Sequence, residues 1–174
     1  MKKELVIKLI AFSLVVIWMM IIYFFSAMPS KESNNKSEKT INTVIEKTID
    51  TTNDIGITNK HLSEKKIKNI VNDLNYPLRK CMHASIYLVL CLLVLNFLKL
   101  CGLNSYKLYF FTILICLLYA LLDEYHQTFV VGRTGQLKDV LIDITGSEIG
   151  YLFYLGYISI KNLFNKTKIK KIWL

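Results

Sequence analysis

The four cysteines form no CxxC pair, and their spacing matches neither a zinc site nor a disulfide framework. Cys91, Cys101 and Cys116 lie in or beside apolar runs, where a free thiol acts as a small hydrophobe, and Cys81 has no nearby partner. No stretch interleaves basic and aromatic residues, so the net charge of +9 does not indicate a nucleic-acid partner. A phosphate loop is missing too: Gly132-Arg133-Thr134-Gly135 reads as a turn, because the P-loop spacing and its lysine are absent. No inverted repeat is visible, which argues against a transporter. There is no recognised nucleophile and no metal motif, so no metal ligand is assigned.

What is present is segregation. Hydrophobic residues make up 53% of the 174-residue chain, and most of the 20% that is charged falls outside a few apolar segments. The length allows a single domain, residues 1–174. Four segments approach the ~20 residues that a helix needs to cross a hydrocarbon core. They lie at about 5–25, 82–100, 106–122 and 140–160. The last carries Asp143 and Glu148 and is the least apolar. The first reads as an uncleaved anchor, since its apolar run is too long for a signal peptide and Phe25-Ser26-Ala27 is a poor cleavage site. The expected fold is therefore all-α, an integral membrane four-helix bundle.

Lysines orient it. Lys2, Lys3, Lys99, Lys107, Lys161, Lys166, Lys168, Lys170 and Lys171 fall on one side if both termini are cytoplasmic. The expectation is a multi-pass cell-membrane protein whose segment 26–80 is an extracytoplasmic amphipathic helical insert between spans 1 and 2. Within it, Ile41, Val44, Ile45, Thr48 and Ile49 form one helical stripe capped by Ser37. Leu62, Ile67, Ile70, Val71 and Leu74 form a second, capped by Ser63, with a turn containing Gly56 at 51–59. Packing against the bundle is favoured over lying on the leaflet. Pro77 is expected to break the chain before the second span.

Ionisable groups inside a membrane are rare and usually functional. Here they concentrate in Asp123-Glu124-Tyr125-His126-Gln127, Arg133, Asp139 and Asp143. Asp139, Asp143, Gly146 and Gly150 share one helical face, and the glycines permit a close helix contact. Arg79, His83 and Tyr87 form a similar stripe, as do Tyr119, Asp123 and either His126 or Gln127. The topology brings all three stripe ends to one side. In the plain structural reading, His83 is a satisfied helix-start residue and Arg133 neutralises Asp139 or Asp123. Glu148 lies on the opposite face from the Asp139 stripe and must meet another helix or be protonated.

Three segments carry a resemblance. Phe25-Ser26-Ala27-Met28-Pro29 is similar to an F-S-x-x-P signature, and Lys80, His83 and Tyr87 fit K-x-x-H-x-x-x-Y. Asp123-Glu124-Tyr125-His126-Gln127 with Gly132-Arg133, Asp139, Asp143 and Gly146 is the most specific part. In this order they resemble the VanZ-like family of small membrane proteins, named for an accessory protein of a glycopeptide-resistance cluster. The segment between Pro29 and Lys80 is longer than the family minimum, and Glu148 stands where a small or apolar residue is expected. The namesake is associated with low-level resistance to teicoplanin, a lipid-tailed glycopeptide, without remodelling of the peptidoglycan precursor. The resemblance thus implies a cell-envelope role linked to antibiotic resistance.

Two functions follow. In the first, the protein binds or modulates an outer-leaflet component: a lipid headgroup, a lipid-linked precursor or a lipid-tailed glycopeptide. Arg79, Lys80 and Arg133 would contact phosphate, and His83, Tyr87, Asp123, Glu124, Gln127, Asp139 and Asp143 would complete the ligand-binding set. In the second, the chain is a membrane-embedded, metal-dependent hydrolase or transferase acting on a lipid-linked phosphate. Its catalytic candidates are His83, Asp123, Glu124, His126, Asp139 and Asp143, with Mg²⁺ or Mn²⁺ as cofactor and a histidine as general acid or base.

Overall fold

The computed structural model describes residues 2–54 and 64–172. Among them the chain is all-α: α1 (Lys2–Ser26), α2 (Ser30–Asp54), α3 (Glu64–Leu100), α4 (Ser105–Gln127) and α5 (Leu137–Ile172). Three stretches are long and apolar enough to cross a membrane: Lys2–Ser26, Asn69–Leu100 and Ser105–Gln127. α5 has the length, but its charged side chains keep it out of that group. The outer face of α1 is mostly apolar, with Leu5, Ile10, Ile17 and Phe24 all about half exposed or more. A soluble protein rarely exposes so much continuous apolar surface, whereas lipid tails solvate it.

α3 is the central helix, packing against each of the other four. Its buried residues Tyr87, Leu90, Cys91, Val94 and Leu95 form the core with Leu108, Cys116 and Ala120 of α4. The closest approach is to α5. A Cβ on Gly146 would sit 2.0 Å from the Ala84 carbonyl oxygen, and one on Gly150 would sit 2.8 Å from that of Leu88. The glycines of the Asp139 stripe therefore let two backbones touch. α3 and α5 run in the same direction, so Lys80 faces Asp139, His83 faces Asp143 and Tyr87 faces Ser147. α1 is tied on by Trp18, whose indole N–H donates to Ile86 O at 3.0 Å, and by the Tyr119 hydroxyl, which donates to Met19 O.

The insert departs from the sequence reading in three ways. α2 begins at Ser30, so Ser37 is a buried residue inside the helix and not its cap. Pro29 lacks the N–H that a helix start leaves unpaired, and the Ser33 N–H closes the first turn on Pro29 O at 3.0 Å. α2 also continues to Asp54, through the first part of the expected turn, because the first strong breaker after Ser30 is Gly56. Gly56, Leu62 and Ser63 lie outside the described residues, and so do the side chains of Ile49 and Ile67.

Pro77 does not break the chain. It lies inside α3, which runs unbroken from Glu64 to Leu100. A proline in a helix interior costs about 3 kcal/mol. On either side of it α3 is held to α2: Asn75 donates to Glu38 Oε1 at 3.3 Å and Arg79 donates to Asn34 Oδ1 at 2.9 Å. Those contacts hold both flanks in one rod. The insert's stripes are narrow, as their sequence indicates. Ile41 and Val71 are buried, while Val44, Ile70 and Leu74 are exposed.

Candidate functional site

Four pieces meet at one end of the helices: the C-termini of α1 and α4, the N-terminus of α5, and the part of α3 around His83. The chain between α4 and α5 is folded back on the α1–α2 corner. The Ser30 N–H donates to Val131 O at 3.3 Å, and Arg133 Nε donates to Met28 O at 2.9 Å. Gly132 turns there with φ of 75°, a conformation that favours glycine. The Gln136 N–H donates to Glu124 Oε2 at 2.8 Å, which fixes the start of α5 against the end of α4.

Within this frame the polar residues sort into three groups. The first is the ion pair of Lys80 with Asp139; the Lys80 ammonium also lies 5.2 Å from the Tyr76 ring centre. The second is a chain in which Arg133 donates to Gln127 Oε1 at 3.2 Å and Gln127 donates to Asp123 Oδ2 at 3.2 Å. Arg133 thus reaches Asp123 only through Gln127, and Asp139 is neutralised by Lys80. The third is His83 with Asp143, Nδ1 to Oδ1 being 3.8 Å, beyond hydrogen-bond reach. Asp143 is fully buried and neither carboxylate oxygen has a hydrogen-bond partner. Outside the spans, burial and nearby Arg79 lower the Arg133 pKa from its ordinary value. A guanidinium so lowered remains charged at neutral pH.

Two cavities open here, each of about 110 Å³. One is mainly apolar, walled by Ile22, Phe25, Met82 and Ile86, with Lys36 and Ser37 from α2. The other is polar, walled by Tyr76, Lys80, Gln127, Thr134, Gln136 and Asp139. Arg79, His83 and Arg133 line both. Pockets that enclose a drug-sized ligand are roughly 300–1,000 Å³. Each of these chambers therefore holds a phosphate-sized group or a short piece of chain and no more.

Not every candidate residue joins the cavities. Tyr87 reaches the apolar one, fully buried, with its hydroxyl unpartnered. Glu124 lines neither: one oxygen holds Gln136 and the other has no partner. His126 turns away and stacks on Tyr23 at 4.4 Å between ring centres, so Gln127 is the residue that completes the Tyr119–Asp123 stripe. Glu148 faces α4 instead, accepting from the Tyr109 hydroxyl at 2.8 Å.

Some contributors escaped the sequence reading. Ser26 is buried beside Asp123, with no partner for its hydroxyl in hydrogen-bonding geometry. Asn34, Lys36 and Ser37 bring α2 into the site, where packing alone was expected. The F-S-x-x-P signature held the signal for Ser26, but nothing in the insert's stripes marked its polar face as a cavity wall.

No curated protein and no solved structure matches the chain. The family comparison does find a match, and it includes the part of each helix that meets at the site. From the middle of α1 to the second half of α5, residues 11–162 match the family model described as VanZ/LLP1, and the chain belongs to that family.

Proposed function

We propose that the protein binds or modulates an amphiphile of the outer leaflet: a phosphate-bearing lipid headgroup or lipid-linked envelope precursor, or a lipid-tailed glycopeptide. The observation that supports this is the pair of adjoining chambers, one apolar and one polar, that share Arg79, His83 and Arg133. An amphiphile presents the same division. The two guanidiniums sit at the boundary, where phosphate would sit, and Arg grips phosphate oxygens with paired donors. The small volumes match a headgroup whose tail remains among the exposed apolar side chains. α5 serves as a fourth span in this reading, with both termini cytoplasmic and the insert outside.

Copurifying lipids test it. Protein extracted with its native lipid is expected to retain one class of phosphorylated amphiphile by mass spectrometry. Arg79→Gln/Arg133→Gln, still folded, is expected to lose it. Equal lipid content in the two samples overturns the reading.

A second reading, a metal-dependent hydrolase or transferase acting on that phosphate, is favoured by His83. Its imidazole lines both chambers while Asp143 lies behind Nδ1, and a carboxylate-backed histidine suits general acid–base work. Release of inorganic phosphate from a polyprenyl diphosphate, lost in His83→Gln, would select it.

A further inference from the structure

We propose that His83, Asp123 and Asp143 form a binding site for a divalent transition-metal ion, Zn²⁺ in preference to Mg²⁺. One ring nitrogen and one oxygen from each carboxylate all lie within 4.8 Å of one another. The three residues come from α3, α4 and α5, so no short sequence motif could have announced them. The Asp139–Asp143 pair, the i, i+4 arrangement suited to one ion, is split: Asp139 is taken by Lys80.

The charge count requires a partner. Both aspartates are buried, and a buried carboxylate needs a cation, donors or a proton. Among the described residues no Lys or Arg bonds either aspartate directly: Lys80 pairs with Asp139, while Arg79 and Arg133 donate to neutral groups of Asn34, Met28 and Gln127. Asp123 receives one hydrogen bond, from Gln127, and Asp143 receives none at either oxygen. A separate observation points the same way. The Tyr87 hydroxyl, one helical turn along α3 from His83, is fully buried and has no partner.

The donor set selects the metal class. Imidazole nitrogen with carboxylate oxygens suits Zn²⁺, while Mg²⁺ takes nearly all-oxygen, largely hydrated shells. Zn–N and Zn–O bonds of about 2.0–2.2 Å place tetrahedral ligands roughly 3.4 Å apart. His83 Nδ1 and Asp143 Oδ1 are 3.8 Å apart, wider than that, so metal binding draws these ligands inward. Three protein ligands leave a fourth position. Of the three ligands, His83 is the one that also lines the two chambers. The site does not depend on the ligand being a lipid.

The test uses the full-length chain in lipid nanodiscs, stripped with a chelator and then equilibrated with Zn²⁺ or Mg²⁺ alone. About one Zn²⁺ per chain is expected by elemental analysis after gel filtration, with a raised Tm. Affinity is expected to fall at least ~100-fold in Asp143→Asn and in His83→Gln, each checked for helicity and monodispersity. Glu148→Gln, a carboxylate on the same helix but held by Tyr109, is expected to bind as the unaltered chain does. Absence of stoichiometric Zn²⁺ on the folded, unaltered chain overturns the proposal, and the cluster is then neutralised by a proton. Equal binding by a folded Asp143→Asn overturns it too. Copurifying lipid, read on the same samples, reports separately on the headgroup reading.

Discussion

The two ends of the helix assembly are built on opposite principles. At one end α3, α4 and α5 bury Asp123, Glu124, Gln127, Asp143 and Ser147. Toward the other, α3 and α4 bury Val94, Leu95, Leu98 and Leu108, and Lys99 stays at the surface over the Tyr154 ring. The apolar end has a single task, packing, and needs no polar partners. The polar end leaves Ser26, Tyr87 and Asp143 with hydroxyl or carboxylate oxygens unpartnered. An unmet buried polar group costs about 1–3 kcal/mol. A chain that carries several at one end and packs well at the other has concentrated its unmet polar groups at one end.

The comparison can be broken most severely at the glycine contact. Gly146→Ala would press a methyl group into the Ala84 carbonyl, with backbone on the opposing side and no flexible side chain to yield. A loss of about 3 kcal/mol is expected, with both ends affected, because the register of Asp143 against His83 depends on that contact. Thermal unfolding in detergent measures it, and the lipid and Zn²⁺ assays should fail together. Leu95→Ala comes next. It should cost about 2–3 kcal/mol by opening a cavity at the apolar end, while copurifying lipid is unchanged in whatever fraction stays folded.

Asp143→Asn sharpens the contrast from the other side. Removing a buried, unpartnered carboxylate is expected to change stability by no more than about 1 kcal/mol, and in the direction of a higher Tm in metal-free buffer. Zn²⁺ affinity should nevertheless fall at least ~100-fold. Separating the two readouts, stability by unfolding and function by binding, is what marks the polar end as a site. The smallest effect is expected at Glu148→Gln. The amide still accepts from Tyr109, so stability should shift by under about 0.5 kcal/mol with ligand retention intact.

Much of this could be read from residue order. The apolar runs located α1, α4 and the membrane part of α3, and the spacing of Asp139, Asp143, Gly146 and Gly150 named the face that α5 presents to α3. The errors cluster in the insert. Its polar sequence has a weak apolar period, so the start of α2 and the continuity of α3 through Pro77 depend on contacts such as Asn34 with Arg79, which periodicity does not encode. The choice between His126 and Gln127 was open for a similar reason. Adjacent helical positions differ by about 100°, and only the placement of Tyr23 on α1 decided which side chain turned inward.

The sequence by itself determined helical membrane architecture, the family and the roster of polar residues, since each follows from composition, period and motif along one chain. Tertiary structure alone decided how that roster divides: Lys80 to Asp139, Arg133 to Gln127 and Met28, and His83 to the two buried aspartates. The physical reason is that a helical period fixes which residues share a face. Which faces meet, and at what register, is set by a backbone contact as specific as Gly146 against Ala84.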